Sequence, residues 1–262
     1  MMFSPGEMWT AIKCAYLGWL FHGSQIQPGV NTVEGDLTDS LSKLGYAIRV
    51  RLASRTDRGV SALGNVFVLP GRERRFRAIN AFLSGVFCHA WADVPEGFKP
   101  RHASSRWYRY LLPERMIKDV DVFEDAVTLF EGVHDFSGFT REKNRNTRIR
   151  IDSVSTTRRC GLIIVDIRAE RFLMHQVRFM VSAAVRASES GSCNEVEVCL
   201  AEGRHPENLA PADPHGLILM DVEYAGVEFT TIPLTSRRLK TLIRSSLLCA
   251  VTEYEIFSRL ME

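Results

Sequence analysis

The sequence predicts an α+β fold of two split-βαβ, ferredoxin-like halves with antiparallel sheets joined around a central cleft, and three observations carry that reading. Apolar residues switch between a period of two and helical spacing in the order β-α-β-β-α-β over residues 9–94. The same order returns over residues 106–224, although the residues themselves are not similar. The composition, 45% hydrophobic and 24% charged in 262 residues, is that of an ordinary globular chain with core enough to fold unaided. The halves divide as 1–103, basic and carrying a candidate nucleophile loop, and 104–262, ending in a helical tail.

Ile12, Cys14 and Tyr16 alternate in a first strand near 9–17, and Val33, Leu37, Leu41 and Leu44 then share a helix face that Thr32 is suited to cap. Ile48, Val50 and Leu52 alternate as a second strand. After a loop at 54–62 come a third strand at 65–69, a helix through Phe76, Ile79, Asn80 and Leu83, and a fourth strand at 86–94. In the second half a strand at 106–112 leads to a helix at 122–130, strands at 149–156 and 162–167, a long helix at 172–187 and a last strand at 217–224. A short helix at 194–201 is extra to the repeat, and Leu239, Leu242, Ile243 and Leu247 place one or two helices in 236–260. A ligand site is expected where the two halves meet.

Several classes of function lose ground at once. No apolar run approaches the roughly eighteen residues of a membrane span, and residues 1–8 lack the basic and apolar regions of a secretion signal, so a cytoplasmic chain is expected. Cys14, Cys88, Cys160, Cys193, Cys199 and Cys249 form no C-x-x-C pair, and the seven histidines form no H-x-x-x-H or H-E-x-x-H. Neither a P-loop nor a G-x-G-x-x-G is present. The cysteines read as reduced and mostly buried thiols.

Charge becomes informative when it is divided along the chain. Residues 1–118 carry 16 Lys and Arg against 9 Asp and Glu, whereas 119–262 carry 17 against 22. Between Arg49 and Arg77 stand Arg49, Arg51, Arg55, Arg58, Arg72, Arg74, Arg75 and Arg77 against Asp57 and Glu73 alone, and Arg141, Lys143, Arg145, Arg148 and Arg150 form a second cluster. Arginine suits bidentate phosphate contacts and stacking on bases, so two such clusters point toward nucleic acid.

Within the first cluster, Ser54-Arg55-Thr56-Asp57-Arg58-Gly59-Val60 sets one carboxylate between two arginines, ahead of a glycine that permits a sharp turn. Flanking positive charge favours the ionised carboxylate, which suits a nucleophile or a charge stabiliser. Taken by itself the heptad equally suits a turn aspartate neutralised by surface arginines. Strand alternation sets Arg106, Tyr108 and Tyr110 on one face, where they read as a base clamp or as core aromatics. Arg178 is anomalous beside the apolar stripe Val177, Met180, Val181 and Ala184, because a cation there needs a buried partner or must snorkel to the surface.

These segments resemble the tRNA pseudouridine synthase A family. The family signature Gly-Arg-Thr-Asp-Ala-Gly-Val-His-Ala is similar to Ser54-Arg55-Thr56-Asp57-Arg58-Gly59-Val60-Ser61-Ala62, which sets Asp57 on the family's nucleophile. Phe-x-x-Arg followed by Arg-x-Tyr-x-Tyr resembles Phe98 through Tyr110, with Arg101, Arg106 and the active-site tyrosine at Tyr108. Phe172-Leu173-Met174-His175-Gln176-Val177-Arg178 resembles the motif whose arginine pairs with the nucleophile, and Leu173 falls on a substrate contact. Gly18 through Gln27, Thr32-Val33-Glu34, Gly132-x-His134-Asp135-Phe136 and residues 211–224 match further family segments in order. The resemblance covers about residues 10–224 and leaves 225–262 unmatched. Ser54 for Gly, Arg58 for Ala and Ser61 for His depart from the signature, which bears on the choice of uridine more than on the chemistry.

The resemblance implies an isomerase that converts uridine to pseudouridine in the anticodon stem-loop of tRNA, needs no cofactor or metal, and works as a cytoplasmic homodimer. Asp57 would attack C1′ of the ribose or C6 of the base, or assist uracil departure by a glycal route. Arg178 would hold Asp57, Tyr108 would stack on the base and help remove the C5 proton, and Arg55 would support a flipped nucleotide. Arg58, Arg72, Arg74, Arg75, Arg77, Arg101 and Arg106 would contact the RNA. Two rival readings are an RNA-binding module without activity and a thiol enzyme.

Overall fold

A computed structural model describes residues 8–142 and 146–233. The helices expected within 236–260, and Lys143, Arg145 and Cys249, lie outside the described residues. The chain divides into two compact units, Met1–Thr230 and Thr231–Glu262.

The first half begins with β1 (Met8–Tyr16), and Thr32 caps α1 (Val33–Ser42) through its hydroxyl, which accepts the Gly35 amide at 3.3 Å. There follow β2 (Ser61–Leu69), α2 (Phe76–Phe82) and β3 (Val86–Pro95). The strand expected at Ile48, Val50 and Leu52 does not form. Val50 and Leu52 are buried as the alternation requires, but the Val50 amide donates to Thr38 Oγ1 at 3.2 Å and the Leu52 amide to Glu34 Oε1 at 3.0 Å. Side chains of α1 thus take the amides that a strand would offer to a neighbour, and an extended segment results without a ladder.

The second half runs through β4 (Ser105–Pro113), α3 (Val120–Thr128), β5 (Gly132–Asp135), β6 (Arg148–Ile151), β7 (Ser153–Arg159), β8 (Leu162–Ala169), α4 (Gln176–Ser190), α5 (Asn194–Glu202) and β9 (Leu217–Glu223). The single strand expected at 149–156 is split, because β6 pairs with β5 in a two-stranded sheet while β7 pairs with β8. The long helix starts at Gln176 and not near 172, since His175 before it takes a left-handed backbone, φ +62°.

The two halves share one sheet. Seven of the eight strands of that sheet lie wholly in the first unit, in the order β3-β1-β2-β9-β4-β8-β7, and the eighth, Thr230–Thr231, falls at the unit boundary. All neighbours in this run pair antiparallel except β2 and β9, which meet in parallel at Ser61–Ile218 and Ala62–Leu219. Leu219 also pairs with Tyr108 of β4. Ala62, Leu219 and Tyr108 therefore lie side by side across three strands about 4.8 Å apart, at the seam of the halves. The loop before β2 sits at that seam. Strict alternation of burial along β4 turns Arg106, Tyr108, Tyr110 and Leu112 inward, and Phe123, Phe130, Phe136, Phe139 and Phe179 are fully buried in the second half.

Candidate active site

The loop at 54–60 is shaped by contacts that are distant in sequence. Asn65 holds Ser54 at both ends, its Oδ1 accepting the Ser54 amide at 3.2 Å and its Nδ2 donating to the Ser54 carbonyl at 2.8 Å. The Thr56 amide donates to Ser24 Oγ at 2.9 Å, the Ser24 amide donates to the Thr56 carbonyl at 3.0 Å, and the Thr56 hydroxyl meets Tyr16 Oη at 2.8 Å. Asp57 closes a turn by accepting the Val60 amide on its carbonyl at 3.2 Å, with Gly59 at φ +87° where a side chain would be strained. Gly18 packs against this turn so closely that a Cβ there would lie 2.3 Å from the Gly59 carbonyl oxygen. These anchors are buried polar groups paired with one another, and they hold the turn rigid.

Asp57 is left partly exposed, its side chain at 33%, and it faces the second half. Arg178 reaches it from the first turn of α4, Nη1 donating to Asp57 Oδ2 at 2.9 Å across 121 residues of sequence, while Nε donates to the Ala212 carbonyl at 2.7 Å. The guanidinium is nearly buried, with 11% of the side chain exposed. The buried partner that a cation on this helix requires is therefore Asp57. His175 adds a second contact, its Nε2 lying 3.3 Å from the same Oδ2.

Tyr108 is buried under the seam with its ring edge-to-face on Phe172, centroids 5.1 Å apart. Leu173 is buried beside it in sequence, and its amide donates to Gln176 Oε1 at 2.8 Å, which fixes the entry into α4. Arg106, nine-tenths buried, turns its guanidinium inward. It donates to Ser54 Oγ at 2.9 Å, to the Arg101 carbonyl at 2.8 Å and to the Glu170 carbonyl. Burial holds this guanidinium below its ordinary range, and its charge supports the backbone under the Asp57 loop rather than facing outward.

The other predicted arginines separate into two groups. Arg55, Arg58, Arg72, Arg77 and Arg101 are exposed. Arg74 and Arg75 are exposed as well but paired: Arg74 makes a bidentate pair with Asp93, both contacts at 2.8 Å, and stacks on Trp91 at 3.6 Å, while Arg75 pairs with Glu73 at 2.9 Å. Sequence reasoning missed His175, Asn65, Ser24 and Gly18. None of the four left a local signal; His175 lies just outside α4 with a left-handed backbone that no helical spacing reports. Among the described residues, no group of three or more His, Cys, Asp and Glu side chains is arranged to hold a metal, and no helix is long and apolar enough to cross a membrane.

A family model described as tRNA pseudouridine synthase matches residues 126–225. The chain is 38% identical over 229 residues to a protein named tRNA pseudouridine synthase A of Pyrococcus furiosus, covering 85% of this chain and 86% of that one. A protein of the same name from Pyrococcus abyssi is 38% identical over 245 residues, covering 90% and 91%. Its namesake from Archaeoglobus fulgidus is 36% identical over 254 residues, covering 95% and 96%. Among solved structures, a Cbf5-Nop10-Gar1 complex matches at a TM-score of 0.38 and 12% identity, covering 67% of this chain and 44% of that one, a likeness too distant to bear on the chemistry.

Proposed function

The chain belongs to the tRNA pseudouridine synthase A family, and from that premise we propose that it isomerises uridine to pseudouridine in the anticodon stem-loop of tRNA, with Asp57 as the reacting carboxylate. The observation that carries this reading is the Asp57–Arg178 pair at 2.9 Å. It joins the one partly exposed carboxylate of an arginine-rich loop to a nearly buried cation from the other half of the chain.

The reaction conserves every atom. The N1–C1′ glycosidic bond breaks, uracil turns within the site, a C5–C1′ bond forms, the C5 proton leaves and N1 gains one. Asp57 acts at C1′, at C6 or through a glycal, and in each case as an anion whose position Arg178 fixes. A stem uridine must leave its stack before any side chain reaches it, and Arg55, exposed two residues before Asp57, is placed to support the flipped nucleotide. Tyr108 supplies a ring for the base to meet, and Leu173 an apolar contact. Residues 1–103 thus contribute Asp57 and Arg55, and residues 104–262 contribute Tyr108, Leu173 and Arg178. Family membership also supports a cytoplasmic homodimer, which light scattering at working concentration would detect.

The test is tritium release from tRNA transcripts carrying C5-labelled uridine, with tRNA affinity measured alongside. Release is expected from wild type, and a loss of at least about 10³-fold in Asp57→Asn with binding retained. Binding without release from wild type on several tRNAs would leave an RNA-binding module as the better account, and tighter RNA binding by Asp57→Asn would strengthen it.

A further inference from the structure

Both contacts to Asp57 fall on one oxygen. Arg178 Nη1 and His175 Nε2 approach Oδ2 at 2.9 and 3.3 Å, and Oδ1 takes no hydrogen bond from the described residues. His175 carries two oddities of its own. It holds a left-handed backbone, φ +62°, a region that few residues other than glycine adopt and that carries a cost. Its Nδ1 is buried without a partner. A histidine retained for the fold would satisfy its ring nitrogens with neighbouring groups, yet the polar partner of this ring is Asp57, with the Phe179 ring 6.4 Å away.

We infer that His175 is a positioning residue for the reaction: Nε2–H and the Arg178 guanidinium together lock Oδ2, so that the lone pairs of Oδ1 are the face offered to the substrate. One donor alone leaves the carboxylate free to swing about its Cβ–Cγ bond. Two donors three residues apart at one helix entry stop that rotation, and the left-handed backbone at His175 is what brings the ring to bear. The inference rests on the reading of Asp57 as the reacting carboxylate.

Two substitutions separate position from fold. His175→Asn tolerates the left-handed backbone, but its amide ends one atom short of the Nε2 position; His175→Gln restores an N–H at that reach. Single-turnover pseudouridine formation at saturating tRNA is expected to fall about 10- to 100-fold in His175→Asn, with tRNA affinity and melting temperature close to wild type, and to recover in part in His175→Gln. In long-range proton–nitrogen NMR of the wild type, His175 is expected as the Nε2–H tautomer, a preference lost in Asp57→Ala. An undiminished rate in His175→Asn, a stable His175→Gln no faster than His175→Asn, or an Nδ1–H tautomer in the wild type overturns the inference. Wild-type protein that forms no pseudouridine in any tRNA sinks the proposed function and the inference with it, whereas wild-type activity beside an unaffected His175→Asn sinks the inference alone.

Discussion

Burial pushes the Tyr108 phenol up to about 12, the Arg106 charge and the Ser54 hydroxyl pulling it back while the Asp57 charge adds to the rise. A raised phenol stays protonated below that value, so at neutral pH Tyr108 is a neutral ring with a hydroxyl and a poor acceptor for the C5 proton. Ring contact is then its main part. The single-turnover rate is expected to show no basic limb from Tyr108 between about pH 7 and 10. Tyr108→Phe should keep tRNA affinity and lose less than about tenfold in rate, and Tyr108→Ala about 10²-fold, because only the second removes the stacking surface. A basic limb present in wild type and absent from Tyr108→Phe would reassign Tyr108 as the proton acceptor. At this scale Arg178 was legible, because a cation beside an apolar stripe is a conspicuous anomaly. His175 was not, since no periodicity reports a left-handed φ or a contact to a loop more than a hundred residues earlier.

The loop that carries Asp57 owes its shape to neighbouring elements more than to its own residues. Gly18 lies against the Gly59–Val60 backbone, where a Cβ would come within 2.4 Å of three backbone atoms. Backbone cannot yield as a flexible side chain does, so Gly18→Ala must push the turn that carries Asp57. A loss of about 1–3 kcal/mol in unfolding free energy is expected, read from the urea midpoint, together with slower single turnover. Wild-type stability and rate in that variant would show that the turn is not braced there. The missing strand at Ile48–Leu52 teaches the same lesson. Alternation identified which side chains are buried, but α1 had already engaged the amides through Thr38 and Glu34.

For the molecule as a whole, the basic surface is smaller than the arginine count suggests. Arg74 and Arg75 are bound to Asp93 and Glu73, whereas Arg58, Arg72 and Arg77 are exposed and engage no carboxylate among the described residues. Exposed unpaired cations are the ones that release counterions when RNA binds. Arg58→Ala and Arg77→Ala are each expected to weaken tRNA binding and lower the slope of log K against log salt by about 1, without changing single-turnover rate at saturating tRNA. Arg74→Ala should lower the melting temperature and leave the slope alone. Equal slopes for all three variants and wild type would remove this face from the RNA footprint.

Most of the order of helices and strands, the buried faces of β4 and α4, and the arginine-flanked Asp57 follow from the sequence, because burial periodicity and local charge act within windows of a few residues; the strand at 48–52 that does not form, the short β5 and the break between β6 and β7 do not. Tertiary structure decided the rest. Joining β2 to β9 merged the two halves into one sheet and brought Ala62, Leu219 and Tyr108 abreast at the seam. Packing of α4 against the loop set Arg178 and His175 on one oxygen of Asp57, and ion pairs with Asp93 and Glu73 took Arg74 and Arg75 out of the set of unpaired cations. Strand register and the choice of partner for a charge depend on groups brought together from far apart in the chain, and no local pattern encodes which of several candidates will arrive.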